Sequence, residues 1–135
     1  MTRGFALMLA LAALAGCNSG SDDEAKPAAG ATKEVTETVA ALQTATQAGD
    51  FERICDDLLS RAAKKRAGGT DCAELVRSTA GDVGQPRITP LSIRVRGDRA
   101  DVRVRTTARG QSAIEDTIQL VREGGSWRIA ALASG

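Results

Sequence analysis

The sequence predicts an α+β fold, with two to three N-terminal helices packed on one face of a four-stranded antiparallel meander sheet. Two observations carry this. Apolar residues recur every three to four positions as far as Ala80 and every second position beyond Val83, so the chain changes once from helical to extended periodicity. The extended half is then punctuated by Gly97-Asp98, Gly110-Gln111 and Gly124-Gly125, turn signals short enough to make successive strands pair.

The helices come first. Val35, Val39, Leu42 and Ala45 or Thr46 form one apolar face over Glu34–Ala48, and Gly49 ends it. Asp50 is placed to cap a second helix, in which Phe51, Ile54, Cys55, Leu58 and Leu59 follow an i, i+3, i+4, i+7, i+8 stripe. Ser60 to Arg66 continues it as a basic end, with Lys64, Lys65 and Arg66 suited to a helix C-terminus. Gly68-Gly69 breaks the chain. Asp71 with Glu74 three residues on has the spacing of a capping box and opens a third helix, with Cys72, Leu75, Val76 and Thr79 inward.

The strands follow. Leu91, Ile93 and Val95 alternate with Ser92, Arg94 and Arg96, and Ala100, Val102, Val104 and Thr106 with Asp101, Arg103 and Arg105. Ile114, Ile118 and Leu120 share a face, and Trp127, Ile129 and Ala131 close the chain. One face is therefore apolar and must be covered by the helices. The other carries Arg94, Arg96, Arg103, Arg105 and Arg128 against Asp101 and Glu115, either a solvated surface or a docking face for an acidic partner or lipid headgroup. Asp116 breaks the alternation by falling among Ile114, Ile118 and Leu120. A carboxylate there is either satisfied structurally or is a general acid or base, or a ligand contact, inside a cavity.

Composition narrows the function. The chain has 18 basic and 17 acidic residues, no strong basic excess of the kind that nucleic-acid proteins carry. Beyond the first 16 residues its only aromatics are Phe51 and Trp127, too few for base-stacking platforms. From Asp22 to Asp82 there are 12 acids and 8 bases; from Val83 onward, 5 acids and 9 bases, all arginine. There is no histidine, so a metal site or an imidazole-activated thiol is poorly supported, and no catalytic set or cofactor is expected. Cys55 and Cys72 fall on the inward faces of neighbouring predicted helices and make the natural disulfide pair of an oxidising compartment.

The N-terminus accounts for the third cysteine. Arg3, the uncharged run Phe5 to Ala15 and small residues before Cys17 have the layout of an export signal, and the run is too short to span a bilayer. Leu14-Ala15-Gly16-Cys17 resembles the lipobox of bacterial lipoproteins. That resemblance implies removal of residues 1–16, acylation of Cys17 (palmitate among its chains), and a protein anchored in the cell membrane on the extracytoplasmic side. Residues 17–33, rich in Gly, Ser, Ala and Asp, then read as the lipidated cysteine and a tether, leaving 34–135 as one domain.

Gly49-Asp50-Phe51 between the helices, Cys55 with Cys72, and the closing Trp127-Arg128-Ile129 strand resemble small secreted or lipid-anchored members of the nuclear transport factor 2-like class. The class implies a cone with a concave pocket between helices and sheet, where Asp116, Trp127 and Phe51 are the candidate lining. Some members are isomerases or hydrolases and many are non-catalytic. The enzymes use acids, Tyr or His, and this chain has neither Tyr nor His. The expectation is a non-catalytic, membrane-anchored binding domain, taking an apolar small molecule or lipid in its pocket or an envelope protein on its Arg face. The alternative is an enzyme with Asp116 as acid or base.

Overall fold

The computed structural model describes residues 30–134. The proposed signal and Cys17, with all but the last residues of the proposed tether, lie outside them. The described chain is α+β. Helices α1 (Ala31–Ala48), α2 (Phe51–Arg53), α3 (Arg61–Arg66) and α4 (Cys72–Ala80) precede strands β1 (Arg87–Arg96), β2 (Arg99–Thr107), β3 (Ile114–Glu123) and β4 (Ser126–Ser134). The strands form one antiparallel sheet in the order β1-β2-β3-β4, the expected meander.

Local chemistry sets the helix ends. α1 stops at Gly49, whose φ of 66° lets the chain turn back while its N–H and that of Asp50 satisfy the Thr46 and Ala45 carbonyls. Asp50 then caps the next segment, its Oδ1 accepting the Arg53 N–H at 3.1 Å. α2 runs directly into a π-turn, Ile54–Leu58.

The expected continuation through Ser60–Arg66 is not one helix. Leu59 is extended, and Leu59 and Ser60 lie alongside β4, with the Ser60 N–H donating to the Ile129 carbonyl at 2.8 Å. Ser60 Oγ then accepts the Ala63 N–H and starts α3 afresh. The Asp71–Glu74 capping box does not form either. A 3-10 turn, Gly69–Asp71, leads into α4, Asp71 makes no side-chain cap, and Glu74 pairs with Arg77 instead. Of the residues expected inward on α4, Cys72 is fully buried and Val76 partly so, but Leu75 and Thr79 are exposed.

Two bulges adjust the strands. Between Pro90 and Ser92 the β1–β2 register shifts, which turns Leu91 out to solvent, puts Pro90 in its place opposite Val104 and makes Ile88 the next inward residue, opposite Thr106. Proline has no N–H for the ladder, so pairing slips there. On β4, Leu120 pairs with Ile129 but Gln119 with Ala131, so Ala130 is the extra residue. Ala131 therefore shares the outer face with Gln119, and Leu132 shares the covered face with Ile118.

α1 crosses the covered face on a diagonal. Near its start, Glu34 meets Trp127 and Arg122 beside the turn between β3 and β4. Near its end, Gln43 meets Pro86 and Ile88 at the start of β1. Val35, Val39, Phe51, Ile54 and Leu58 bury themselves against Val102, Val104, Ile118, Leu120 and Ile129. All the buried apolar side chains of the described residues fall between Ala31 and Ile129, so this segment carries its own core. Cys55 and Cys72 form the expected disulfide, tying the π-turn to α4, with both residues buried.

Candidate functional site

The three residues expected to line one pocket do not converge. In the β2–β3–β4 ladder, Asp116 sits opposite Val104 and Ser134, whereas Trp127 sits opposite Arg122. Six residues of β3 separate these rungs, about 20 Å at a strand's rise of about 3.3 Å per residue. Trp127 is buried as a lock on α1. Its Nε1–H donates to Glu34 Oε2 at 3.2 Å, the same oxygen takes Arg122 at 3.0 Å, and the Arg122 guanidinium lies 5.2 Å from the indole centroid. A shallow cleft of about 350 Å³ passes Trp127, bordered by Glu34, Glu37 and Asp57.

Phe51 belongs elsewhere. It is buried beneath Arg77, whose guanidinium lies 5.8 Å from the ring, and it lines a cleft of about 810 Å³ at the far end of the molecule. That cleft is bordered by the C-terminal ends of α1 and α4 and by the start of β1. Arg87 and Arg109 are its charged walls. Gln85, with φ 49°, turns the chain there. Asp116 is not in the lining.

Asp116 lies on the covered face, as its place in the alternation predicts, and is half-buried. Its neighbours on that face divide by position. Val104, opposite, is buried, and so is Ile118, two residues on. Ile114, two residues before, is 56 % exposed, and Leu132, diagonally across on β4, is 67 % exposed. This corner is uncovered because α1 takes the other diagonal and the α2–α3 segment covers β4 only as far as Ala130, where Arg66 donates to the carbonyl. The result is an open apolar corner of the concave face, Ile114 and Leu132 around one carboxylate. The alternation expected Ile114 inward but not its exposure, because periodicity reports a face and not the reach of the helix above it; Leu132 joins this face only through the bulge at Ala130. Among the described residues, no hydrogen bond or ion pair to the Asp116 side chain brings a second polar group onto it, and no cluster of three metal-ligating side chains occurs.

The opposite face of the sheet is where the arginines stand. Register puts Arg87, Arg94, Arg96, Arg99, Arg103 and Arg105 on it, all exposed. Arg94 faces Asp101, and Arg103 pairs with Glu115 at 2.9 Å. Arg128 leaves this face: its guanidinium donates to the Asp57 carbonyl and, at 3.4 Å, to that of Asp56, at the end of the π-turn.

This architecture is the nuclear transport factor 2-like fold. A nuclear transport factor 2-like protein of unknown function from Silicibacter pomeroyi superposes with a TM-score of 0.54 at 19% identity, over 75% of this chain and 91% of that one. A designed protein of the same type superposes with a TM-score of 0.58 at 14% identity, over 78% and 97%. No protein-family model matches the sequence, and no curated protein does.

Proposed function

We propose that the protein is a membrane-anchored, extracytoplasmic binding domain without catalytic chemistry, which takes an apolar small molecule or lipid at the open corner of its concave face. The observation that carries this is the pair of large apolar side chains, Ile114 and Leu132, left in solvent on the face whose other apolar side chains form the core. Burying such a side chain is worth about 1.5–3 kcal/mol, so a ligand covering both gains appreciable affinity. Asp116 between them would orient a polar end of that ligand. An isomerase or hydrolase using Asp116 as acid or base would need a second polar group aimed at the same point, and the described hydrogen bonds offer none. The anchor rests on Leu14-Ala15-Gly16-Cys17 and the export-type segment before it.

The test is native mass spectrometry of the domain purified from its own host. An adduct of fixed mass is expected, lost in Leu132→Arg while the melting temperature holds. A domain that is ligand-free in every preparation overturns the pocket.

A further inference from the structure

The outer face of the sheet carries more charge than its fold requires. Asp101 faces Arg94, and Glu115 pairs with Arg103 and stands opposite Arg105, so two carboxylates meet six arginines and Arg87, Arg96 and Arg99 face no acid on β1 and β2. Arg96 and Arg99 stand directly opposite one another beside the Gly97-Asp98 turn. Like charges on facing rungs oppose pairing, so this arrangement is unfavourable to the hairpin that contains it. The four lysines of the chain, Lys26, Lys33, Lys64 and Lys65, all precede the sheet, so this face is built from guanidinium alone. Guanidinium is a planar fork that matches phosphate.

Away from the arginines the face carries mostly short side chains. Thr117, Ala131 and Ala133 follow Ser92 and Arg103 or Arg94 and Asp101 across the rungs, and no exposed aromatic interrupts them. Leu91, at the β1 bulge, is the large apolar side chain exposed on this strand, and the face offers a protein partner no aromatic anchor of the kind that dominates binding energy at protein interfaces. A phosphate-bearing lipid surface needs none.

We infer that this face seats the domain on anionic phospholipid headgroups, so that the concave corner on the opposite side of the sheet points away from the bilayer. The inference rests on the membrane-anchor reading only for the source of the bilayer. Cys17 and Ala31 are 14 residues apart, which span at most about 50 Å, so the anchor permits the pose.

The test uses residues 18–135, which hold the complete described core but not Cys17, with sedimentation on phosphatidylcholine vesicles with and without phosphatidylglycerol. Binding is expected on the anionic vesicles alone and falls steeply with added salt. Arg96→Ser, Arg99→Ser and Arg105→Ser each lower the partition coefficient about fivefold, as expected for about 1 kcal/mol per cation near such a surface. Lys33→Ala with Lys65→Ala, on the helical side, leaves it unchanged. Circular dichroism melts confirm that the variants fold. Equal binding to both vesicle types, or a triple Arg variant that binds like the parent, overturns the inference. So does a full chain whose residue 105, carrying a photocrosslinker in cells, captures an acidic protein while the fragment ignores anionic vesicles. Because the fragment has no Cys17, failure here leaves the anchor standing, and failure of the anchor leaves this result standing.

Discussion

A single glutamine ties α1 to the start of β1. Gln43 Oε1 accepts the Ile88 N–H, and its Nε2 donates to the Pro86 carbonyl at 3.1 Å, so one amide satisfies both backbone groups where β1 begins. Gln47 Nε2 also reaches the Pro86 carbonyl, at 3.4 Å, so Gln43→Ala chiefly strips the Ile88 N–H and is expected to cost about 1–3 kcal/mol, the penalty for leaving such a group unpaired, read as a lower urea midpoint with unchanged slope. A change below about 0.5 kcal/mol would mean that water replaces the amide without loss. Nothing in the sequence marks Gln43. It lies 45 positions from Ile88, and only the diagonal of α1 brings them together. Asp116 is the converse case. Its face was legible from alternation alone, but its half-exposure depends on where the helix above it ends.

Elements follow their periodicity until a backbone irregularity intervenes. β2 has its alternation intact, with Ala100, Val102 and Val104 buried as expected. β1 and β4 each carry a bulge, and this is why Leu91 and Ala131 do not take the inward places that period two assigns them. On the helical side, the extended Leu59 splits what reads as one amphipathic segment into α2 with its π-turn and α3. The short pieces that result cannot be stable alone. The disulfide compensates by joining Cys55 to Cys72 across a sequence separation of 17. In the chain-entropy model it contributes about 3 kcal/mol. Refolding the domain with its thiols reduced should lower the melting temperature by more than about 10 °C, on a scale of about 4–8 °C per kcal/mol. An unchanged melt would show that tertiary contacts alone hold the helical segments.

At the scale of the whole molecule, the two faces of the sheet have separate chemistries. One is apolar and covered except at the Ile114–Asp116–Leu132 corner; the other is exposed and rich in arginine. The α+β meander and the cysteine pair were readable from residues 34–135, because each depends on local period and on spacing. The separation of Phe51, Asp116 and Trp127 was not, because it follows from the tilt of α1 across four strands. Whether the chain is anchored is a question for Cys17. Cys17→Ser is expected to release the protein from the membrane fraction or to block its processing. Normal processing with retention in the membrane would sink the anchor reading.

The contacts at the two sheet edges have a further consequence. A lateral strand normally offers a free row of N–H and C=O groups onto which a second copy can add itself. Here β4 spends its Ile129 carbonyl on Ser60 and its Ala130 carbonyl on Arg66. On the other side, β1 gives its Ile88 N–H to Gln43, loses a donor at Pro90 and kinks at Leu91. Each margin is therefore interrupted in its run, which shortens the stretch of strand that a second copy could add to.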